Sequence, residues 1–423
     1  MEREMKDSGI AWIGEIPKEW EASKLGTLYT NRNEKVSDKD FPPLSVTMKG
    51  ILPQLETAAK TDDGDNRKLV RKGDFAINSR SDRRGSCGIS PYDGSVSLIN
   101  TILCPRDEMN PSFYNWLFHT SLFADEFYKW GHGIVDDLWT TRWQEMKNIY
   151  VVVPNLKEQQ SIAHFLDEKC SEIDELISLQ EKMIDELKSY KQSVITEAVT
   201  KGLDRNVKMK DSGVDWIGEI PKHWGICRIK ETCKNISDGT HFSPETKDEG
   251  YSYITAGDVH GKGIDFSKTK RISEIDYLKL VSQGCQPHQN DVLIVKDGAT
   301  TGRVGLMTEV QDCVLLSSVA MLTVNSNYSN LYLFYILQSD TIQEQIRLSM
   351  AGSAMPRITL TKLNNFLTII SPLSEQQEIA DYLDTKCSEI DTLISIKQQK
   401  IEELKEYKKS LIYEYVTGKK QVI

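Results

Sequence analysis

The stretch EQQSIAHFLDEKCSEIDELIS, residues 158–178, returns as EQQEIADYLDTKCSEIDTLIS at 375–395, with 16 of 21 positions identical. The surrounding runs, 157–200 and 374–417, contain neither Gly nor Pro. In the first, Ile173, Leu176, Ile177, Ile184, Leu187 and Val194 recur at spacings of three, four and seven, and Ile390, Leu393, Ile394, Ile401, Leu404 and Leu411 repeat the pattern in the second. That is the period of a helix with one apolar stripe. Pro154 and Pro372 stand ahead of the runs and Gly202 and Gly418 behind them, as start and stop signals. Each run is predicted to be a continuous helix of about 30 residues, roughly 45 Å long at ~1.5 Å per residue. So long an amphipathic helix needs a partner, and the near-identical stripes make the other helix the simplest one. An antiparallel coiled coil follows, with Ile173, Ile177, Ile184, Leu187, Ile390, Ile394, Ile401 and Leu404 in its seam. The alternative is that each helix packs only on its own domain.

A second duplication precedes each helix. MKDSGIAWIGEIPKEW (5–20) recurs as MKDSGVDWIGEIPKHW (209–224), with 13 of 16 positions identical. Pro forbids helix at Ile16-Pro17, and the flanking tryptophans suggest an extended segment anchored by aromatic packing. One copy follows the first helix, whereas the motif expected after the second helix is the one at residues 5–20. The repeat therefore closes on itself like a ring cut once, which implies a pseudo-two-fold axis. Between the repeats lie two regions that hardly resemble one another. The predicted organisation is a first variable domain at 1–153, a helix at 154–203, a second variable domain at 204–371 and a second helix at 372–423. Runs at 44–46, 95–104, 251–255, 291–295 and 317–324 read as strands, and 112–130 and 330–348 read as helical. Strands first and helices afterwards indicate an α+β fold.

Composition narrows the function classes. With 39% hydrophobic and 27% charged residues, each half can bury an ordinary core. The longest apolar runs, such as 150–154 and 366–372, fall far short of the ~20 residues of a membrane span. The first residues, MEREMKDSG, lack the apolar core of a signal peptide. A soluble, cytoplasmic protein with no membrane partner is expected. The eight cysteines stand apart, with no C-x-x-C pair, so no metal site is expected. Cys170 and Cys387 occupy matching repeat positions and read as small buried side chains. Net charge is −10, but 157–200 carries −5 and 375–417 carries −4, which leaves the remainder near neutral. Within it, residues 66–85 hold seven Arg or Lys against two Asp. A local basic patch, not the overall charge, is what engages phosphate.

That cluster, Arg67, Lys68, Arg71, Arg80, Arg83 and Arg84, is interleaved with Asn78, Ser79 and Ser81 and is a candidate DNA surface. A solvated loop is the alternative. The second region offers SDGTH (237–241), KDGATTGRVG (296–305) and GSAMPRITL (352–360), with Thr240, His241, Lys296, Thr300, Thr301, Arg303 and Arg357 as candidate DNA contacts. Gly298, Gly302 and Gly305 would serve a hairpin turn equally well. Trp139, Thr141 and Arg142 precede the last strand of the first region where the second has Arg357 and Thr359, so Arg142 joins the candidates. Catalytic signatures are scarce. Asn110-Pro111-Ser112-Phe113 is close to the Asn-Pro-Pro-Phe motif of adenine methyltransferases, but its second proline is missing and no Gly-rich cofactor loop accompanies it. No nucleotide-binding loop, nucleophile elbow or metal-ligand spacing was found. The chain reads as a binder.

The repeated Trp-Ile-Gly-Glu-Ile-Pro-Lys-x-Trp motifs, the E-Q-Q-x-I-A-x-x-L-D helix starts and the divergent intervening regions resemble the specificity subunits of type I restriction–modification systems. The resemblance covers essentially the whole chain. It implies two target recognition domains that read a bipartite, asymmetric duplex site, with the repeated helices as a spacer. Half-sites about one turn apart, ~34–36 Å, would suit such a ruler. It also implies two modification subunits that bind S-adenosylmethionine and methylate adenine N6, and restriction subunits that use ATP and Mg²⁺, with no cofactor in this chain. The expected location is the prokaryotic cytoplasm, on the nucleoid. A stand-alone methyltransferase and a protein-binding scaffold are the two rival readings.

Overall fold

The computed structural model describes residues 3–54, 64–80, 83–106, 109–133, 139–309, 311–350 and 356–422. They form two compact units, Met1–Gln180 with Gln399–Ile423, and Glu181–Gln398. Each unit contains a stretch of both long helices. These run over Leu156–Lys201 and Leu373–Val416, 46 and 44 residues, or about 69 and 66 Å. They exceed the expected length because nothing breaks them before Gly202 and Gly418, whose φ values of 75° and 73° end the helical backbone. Their last turns also enter the domain cores: Ile195, Ala198 and Val199 in the second unit, Leu411 and Val416 in the first.

The helix stretches are antiparallel within a unit. In the first, Phe165 meets Tyr415 with ring centroids 4.4 Å apart, and Asp174 pairs with Lys408 at 2.6 Å. Advancing along one helix thus means retreating along the other. In the second unit Lys191 pairs with Asp391 at 2.6 Å. Asp391 and Lys191 are the repeat counterparts of Asp174 and Lys408, so the same contact is made twice with the helices exchanging roles. Ile173, Ile184, Ile390 and Ile401 are buried, and Ile177, Leu404, Leu187 and Ile394 are half-buried. Leu176 and Leu393 turn outward, each 46% exposed, so the buried stripe is narrower than the spacing suggested.

The short repeated motif is extended, as its proline requires. Met5–Asp7 pairs with Glu15–Pro17, and Met209–Asp211 with Glu219–Pro221. Trp20 is buried and donates its indole N–H to Glu158 at 2.8 Å; Trp224 does the same to Glu375 at 2.8 Å. Gly418 packs against Pro17 and Trp20, as Gly202 packs against Pro221 and Trp224. The ring closure expected from the repeat is therefore a physical contact inside the first unit.

The variable regions each build a sheet of the same strand order despite dissimilar sequences. In the first unit the antiparallel order is Cys87–Ile89, Phe75–Asn78, Asn100–Pro105, Tyr29–Arg32. In the second it is Val304–Leu306, Val292–Val295, Val319–Val324, Cys233–Asp238, extended by Gly261–Lys262 running parallel to Val304–Leu306. A closing pair, Glu21–Lys24 with Tyr150–Val153 and Gly225–Arg228 with Leu367–Ile370, brings the chain back to each long helix. Strands at 44–46, 251–255, 291–295 and 317–324 fall where expected. The stretch 95–104 instead splits into Gly94–Val96 and Asn100–Pro105 in different sheets, because a turn from Ser97 to Asn100 intervenes. The stretches 112–130 and 330–348 each break into two helices, at Thr120 and Ser339, whose backbones are extended. Among the described residues no helix is long and apolar enough to cross a membrane.

Candidate nucleic-acid interface

In both units the central strand runs past its sheet and is met by the segment that leads into the closing pair. In the first, Phe75–Asn78 continues into Ser79 and Arg80. Thr141 N–H donates to Ser79 O at 3.0 Å, and Arg80 bridges Thr140. In the second, Val292–Val295 continues into Lys296 and Asp297. Ile358 N–H donates to Lys296 O at 2.8 Å, and Asp297 bridges Arg357. The two exits are the same backbone device carrying different side chains.

The first exit gathers part of the basic cluster. Arg80 is held through its carbonyl, which accepts the Tyr128 hydroxyl at 2.9 Å. Arg84 lies 5.5 Å over the Tyr128 ring and pairs with Asp125. Arg83 is exposed beside it, and Arg142 is exposed one residue beyond Thr141, at the head of the short helix Trp143–Met146. Trp139 is half-buried and donates to Tyr128 O at 2.7 Å, so it braces the exit. Ser79 is buried and shares a 2.9 Å hydrogen bond with the Thr101 hydroxyl. Ser81 and residues 352–355 of the second region's motif lie outside the described residues.

Three members of the cluster lie elsewhere. Arg67 is 4% exposed in the strand Arg67–Val70, with its guanidinium donating to Ser95 Oγ and O at 2.9 and 3.0 Å. Lys68 donates to Asn100 O at 2.7 Å. Burial holds both below the ordinary pKa of their side chains. Arg71 is exposed at the opposite end of the central strand, paired with Asp93 at 3.2 Å and 5.1 Å over Phe41. The cluster's six basic residues, spread over positions 67–84, thus divide among one strand and the two ends of another. Place in the fold, not charge, decides which side chain reaches the surface: Arg67 and Lys68 lie in a strand paired on both sides, whereas Arg71, Arg83 and Arg84 lie in the turns outside it.

The second exit is built on ion pairs. Lys296 is only 2% exposed and donates to Asp238 at 2.5 Å. Its ammonium is turned inward onto Asp238, which fastens the loop 238–242 to the strand exit. His241 projects from that loop, its Nε2 3.8 Å from Asp238, while Thr240 is buried and its hydroxyl accepts the Phe242 N–H at 2.9 Å. Arg357 is exposed and pairs with Asp297 at 3.0 Å. Thr300, Thr301 and Arg303 sit on the hairpin turn between Val292–Val295 and Val304–Leu306; the turn's glycines, Gly298 and Gly302, have φ of 96° and 92°. Thr301 donates to Gly298 O at 2.7 Å, and Arg303 is exposed. Asp238 and Asp297, which fix these groups, were not singled out in the sequence. Their adjacency to Gly-rich turns was visible, but their partners lie about sixty residues away in the chain.

The Asn110-Pro111-Ser112-Phe113 motif is a helix start. Asn110 Oδ1 accepts the Phe113 N–H at 3.1 Å and caps Pro111–Phe118. Its own N–H donates to Gln159 at 2.8 Å, as Ser329 N–H donates to Gln376 at 2.9 Å in the other unit. Among the described residues no group of three His, Cys, Asp or Glu could hold a metal ion. Cys170 and Cys387 are buried.

Residues 221–406 match the family described as the type I restriction modification DNA specificity domain. The chain is 25% identical to the type I restriction enzyme MjaVIII specificity subunit of Methanocaldococcus jannaschii, over 96% of this chain and 94% of that one. In fold it is similar to a chain from a structure of type I R-M complex assembly and conformational transition, with TM-score 0.71 and 16% identity over 95% of this chain and 99% of that one. It is also similar to the HsdS subunit from Thermoanaerobacter tengcongensis, with TM-score 0.51 and 19% identity over 95% and 98% of the two chains. The duplicated frame and the matching sheets thus accompany a match to the type I restriction modification DNA specificity domain over residues 221–406 and a likeness, over nearly the whole chain, to type I restriction enzyme specificity subunits.

Proposed function

We propose that this chain reads a bipartite, asymmetric site on double-stranded DNA, one half with residues 1–153 and the other with 204–371. The segments 154–203 and 372–423 act as the spacer that fixes the gap. The observation that carries this is the strand exit made twice: one backbone frame presents Arg80, Arg83, Arg84 and Arg142 in one region, and His241, Arg303 and Arg357 in the other. A shared frame with different side chains suits two half-sites of different sequence, with arginine serving guanine edges and phosphates.

Two modification subunits are the proposed partners. Each unit carries an equivalent outward-facing apolar stretch on a long helix. Leu176 and Leu179 are 46% and 51% exposed in one, and Leu393 and Ile396 are 46% and 56% exposed in the other. Two matching patches suit two copies of one partner. Those partners would bring S-adenosylmethionine and flip the target adenine for N6 methylation, and restriction subunits would bring ATP and Mg²⁺. The complex would work in the prokaryotic cytoplasm, on the nucleoid.

A single-molecule methylome of a methylation-free host tests this, with the chain expressed alone and then with its modification subunit. N6-methyladenine at one gapped, asymmetric motif, only with both proteins, is the expected result. Methylation by this chain alone would make it an enzyme and overturn the proposal.

A further inference from the structure

The loop beside the second strand exit presents an aromatic side chain that the fold does not use. Thr240 is fastened on both sides, its N–H donating to Leu315 O and its carbonyl accepting Ser317 N–H, each at 2.9 Å. With the Thr240 hydroxyl holding Phe242 N–H, the ring is placed at the surface, 49% exposed. Its face is covered on one side by the Lys279 ammonium, 4.6 Å from the ring centroid. Lys279 comes from the helix Glu274–Ser282, which buries Tyr277 and Leu280 and turns Ile275 and Leu278 outward, 81% and 56% exposed. Ile275 lies one turn before both Leu278 and Lys279, so two exposed apolar side chains and the cation share the outer side of one helix. The acids of that helix sit in its first turn, where Asp276 is held by the Ser273 hydroxyl at 2.8 Å.

Large apolar side chains kept in water beside a fixed cation point to a ligand that is apolar at one spot and anionic next to it. On a duplex that combination is the thymine C5-methyl, the apolar feature of the major-groove edge, flanked by phosphate. The loop is tied to Lys296 through Asp238, and Asp297 of the same exit holds Arg357, so the loop that carries Phe242 is fixed to the exit that carries an exposed arginine. We infer that Phe242, with Ile275 and Leu278, contacts thymine methyl groups in the half-site read by residues 204–371, while Lys279 engages the neighbouring phosphate. The inference rests on the proposed DNA-reading function and adds a base and an atom to it. It also makes the two half-sites differ in kind, one read chiefly by arginines and the other partly by apolar contact.

The test uses the complex of this chain with its modification subunits and the cognate duplex from the methylome. Each thymine is replaced in turn by deoxyuridine, which removes only the C5-methyl. Binding is read by fluorescence anisotropy. At one or more thymines of that half-site, deoxyuridine should weaken binding about threefold to tenfold. Phe242→Ala should then bind the thymine and deoxyuridine duplexes alike, and Ile275→Ser with Leu278→Ser should reduce the difference. Equal affinity of the wild type for all deoxyuridine duplexes overturns the inference, as does discrimination that survives Phe242→Ala, or a half-site without thymine on either strand. Binding with no preference for any gapped site would instead overturn the underlying function, and is distinguished by its indifference to both half-sites.

Discussion

Ser79-Arg80 in one unit and Lys296-Asp297 in the other occupy the same place, and almost nothing about their side chains agrees. At the first exit a buried serine hydroxyl meets Thr101, and arginine faces threonine across the bridge. At the second a buried lysine meets Asp238, and aspartate faces arginine. The cation has moved from the strand to the returning segment. Backbone hydrogen bonds conserve the exit because every residue supplies one donor and one acceptor whatever its side chain. The side chains are then free to vary, provided each buried one finds a partner. The backbone thus holds the frame while the side chains at the same positions stay open to variation.

If the frame is truly common, its anchors should be interchangeable in effect. Trp20→Ala and Trp224→Ala should each cost about 3–5 kcal/mol, because each removes a buried indole that also bonds a glutamate. Urea unfolding of the two variants should give similar losses; a large loss in only one would show that the joints are not equivalent. The exits should behave oppositely. Lys296→Met leaves Asp238 without its cation in a largely buried setting and should cost about 3 kcal/mol. Ser79→Ala should cost only about 1 kcal/mol. Equal costs in the same unfolding experiment would remove the contrast.

Binding separates them again. Under the proposed function, Arg83→Ala, Arg84→Ala and Arg142→Ala should weaken the modification complex's hold on the half-site assigned to residues 1–153, by about 1–3 kcal/mol for a base contact and less for a phosphate contact. Arg357→Ala should do so at the other half-site. Titrations on duplexes scrambled in one half at a time assign each loss, and a residue whose loss does not track its half-site is misplaced. The smallest effect belongs to the helix pairs. Asp174→Asn and Asp391→Asn break equivalent exposed ion pairs and should each cost no more than about 1 kcal/mol, read as matched small shifts in the urea midpoint.

The sequence made the frame legible because its signals are local. Repeated motifs, a glycine- and proline-free apolar stripe and bounding glycines sit within a few dozen residues of one another. The helices run past the expected 30 residues because the backbone stays helical until Gly202 and Gly418 stop it. The surface was less legible. Arg67 and Arg83 look alike in a charge run, but one lies in a strand that turns it towards Ser95 and the other lies on an exposed turn. Only strand pairing across the sheet decides that. Lys296 looked like a phosphate contact because its partner Asp238 stands 58 positions away, and residue type alone cannot show which cations are already neutralised.

The division of the chain between its units also sets an order of assembly during synthesis. The second unit, Glu181–Gln398, is one unbroken segment, whereas the first needs Met1–Gln180 together with residues from Gln399 onward. A ribosome adding ~5–20 residues per second spends roughly 10–40 s between the two parts of the first unit. Throughout that interval Pro17 and Trp20 lack the Gly418 contact, and Asp174 lacks Lys408. The region made first is therefore the one completed last, and the nascent chain must carry it, still open, while its counterpart closes.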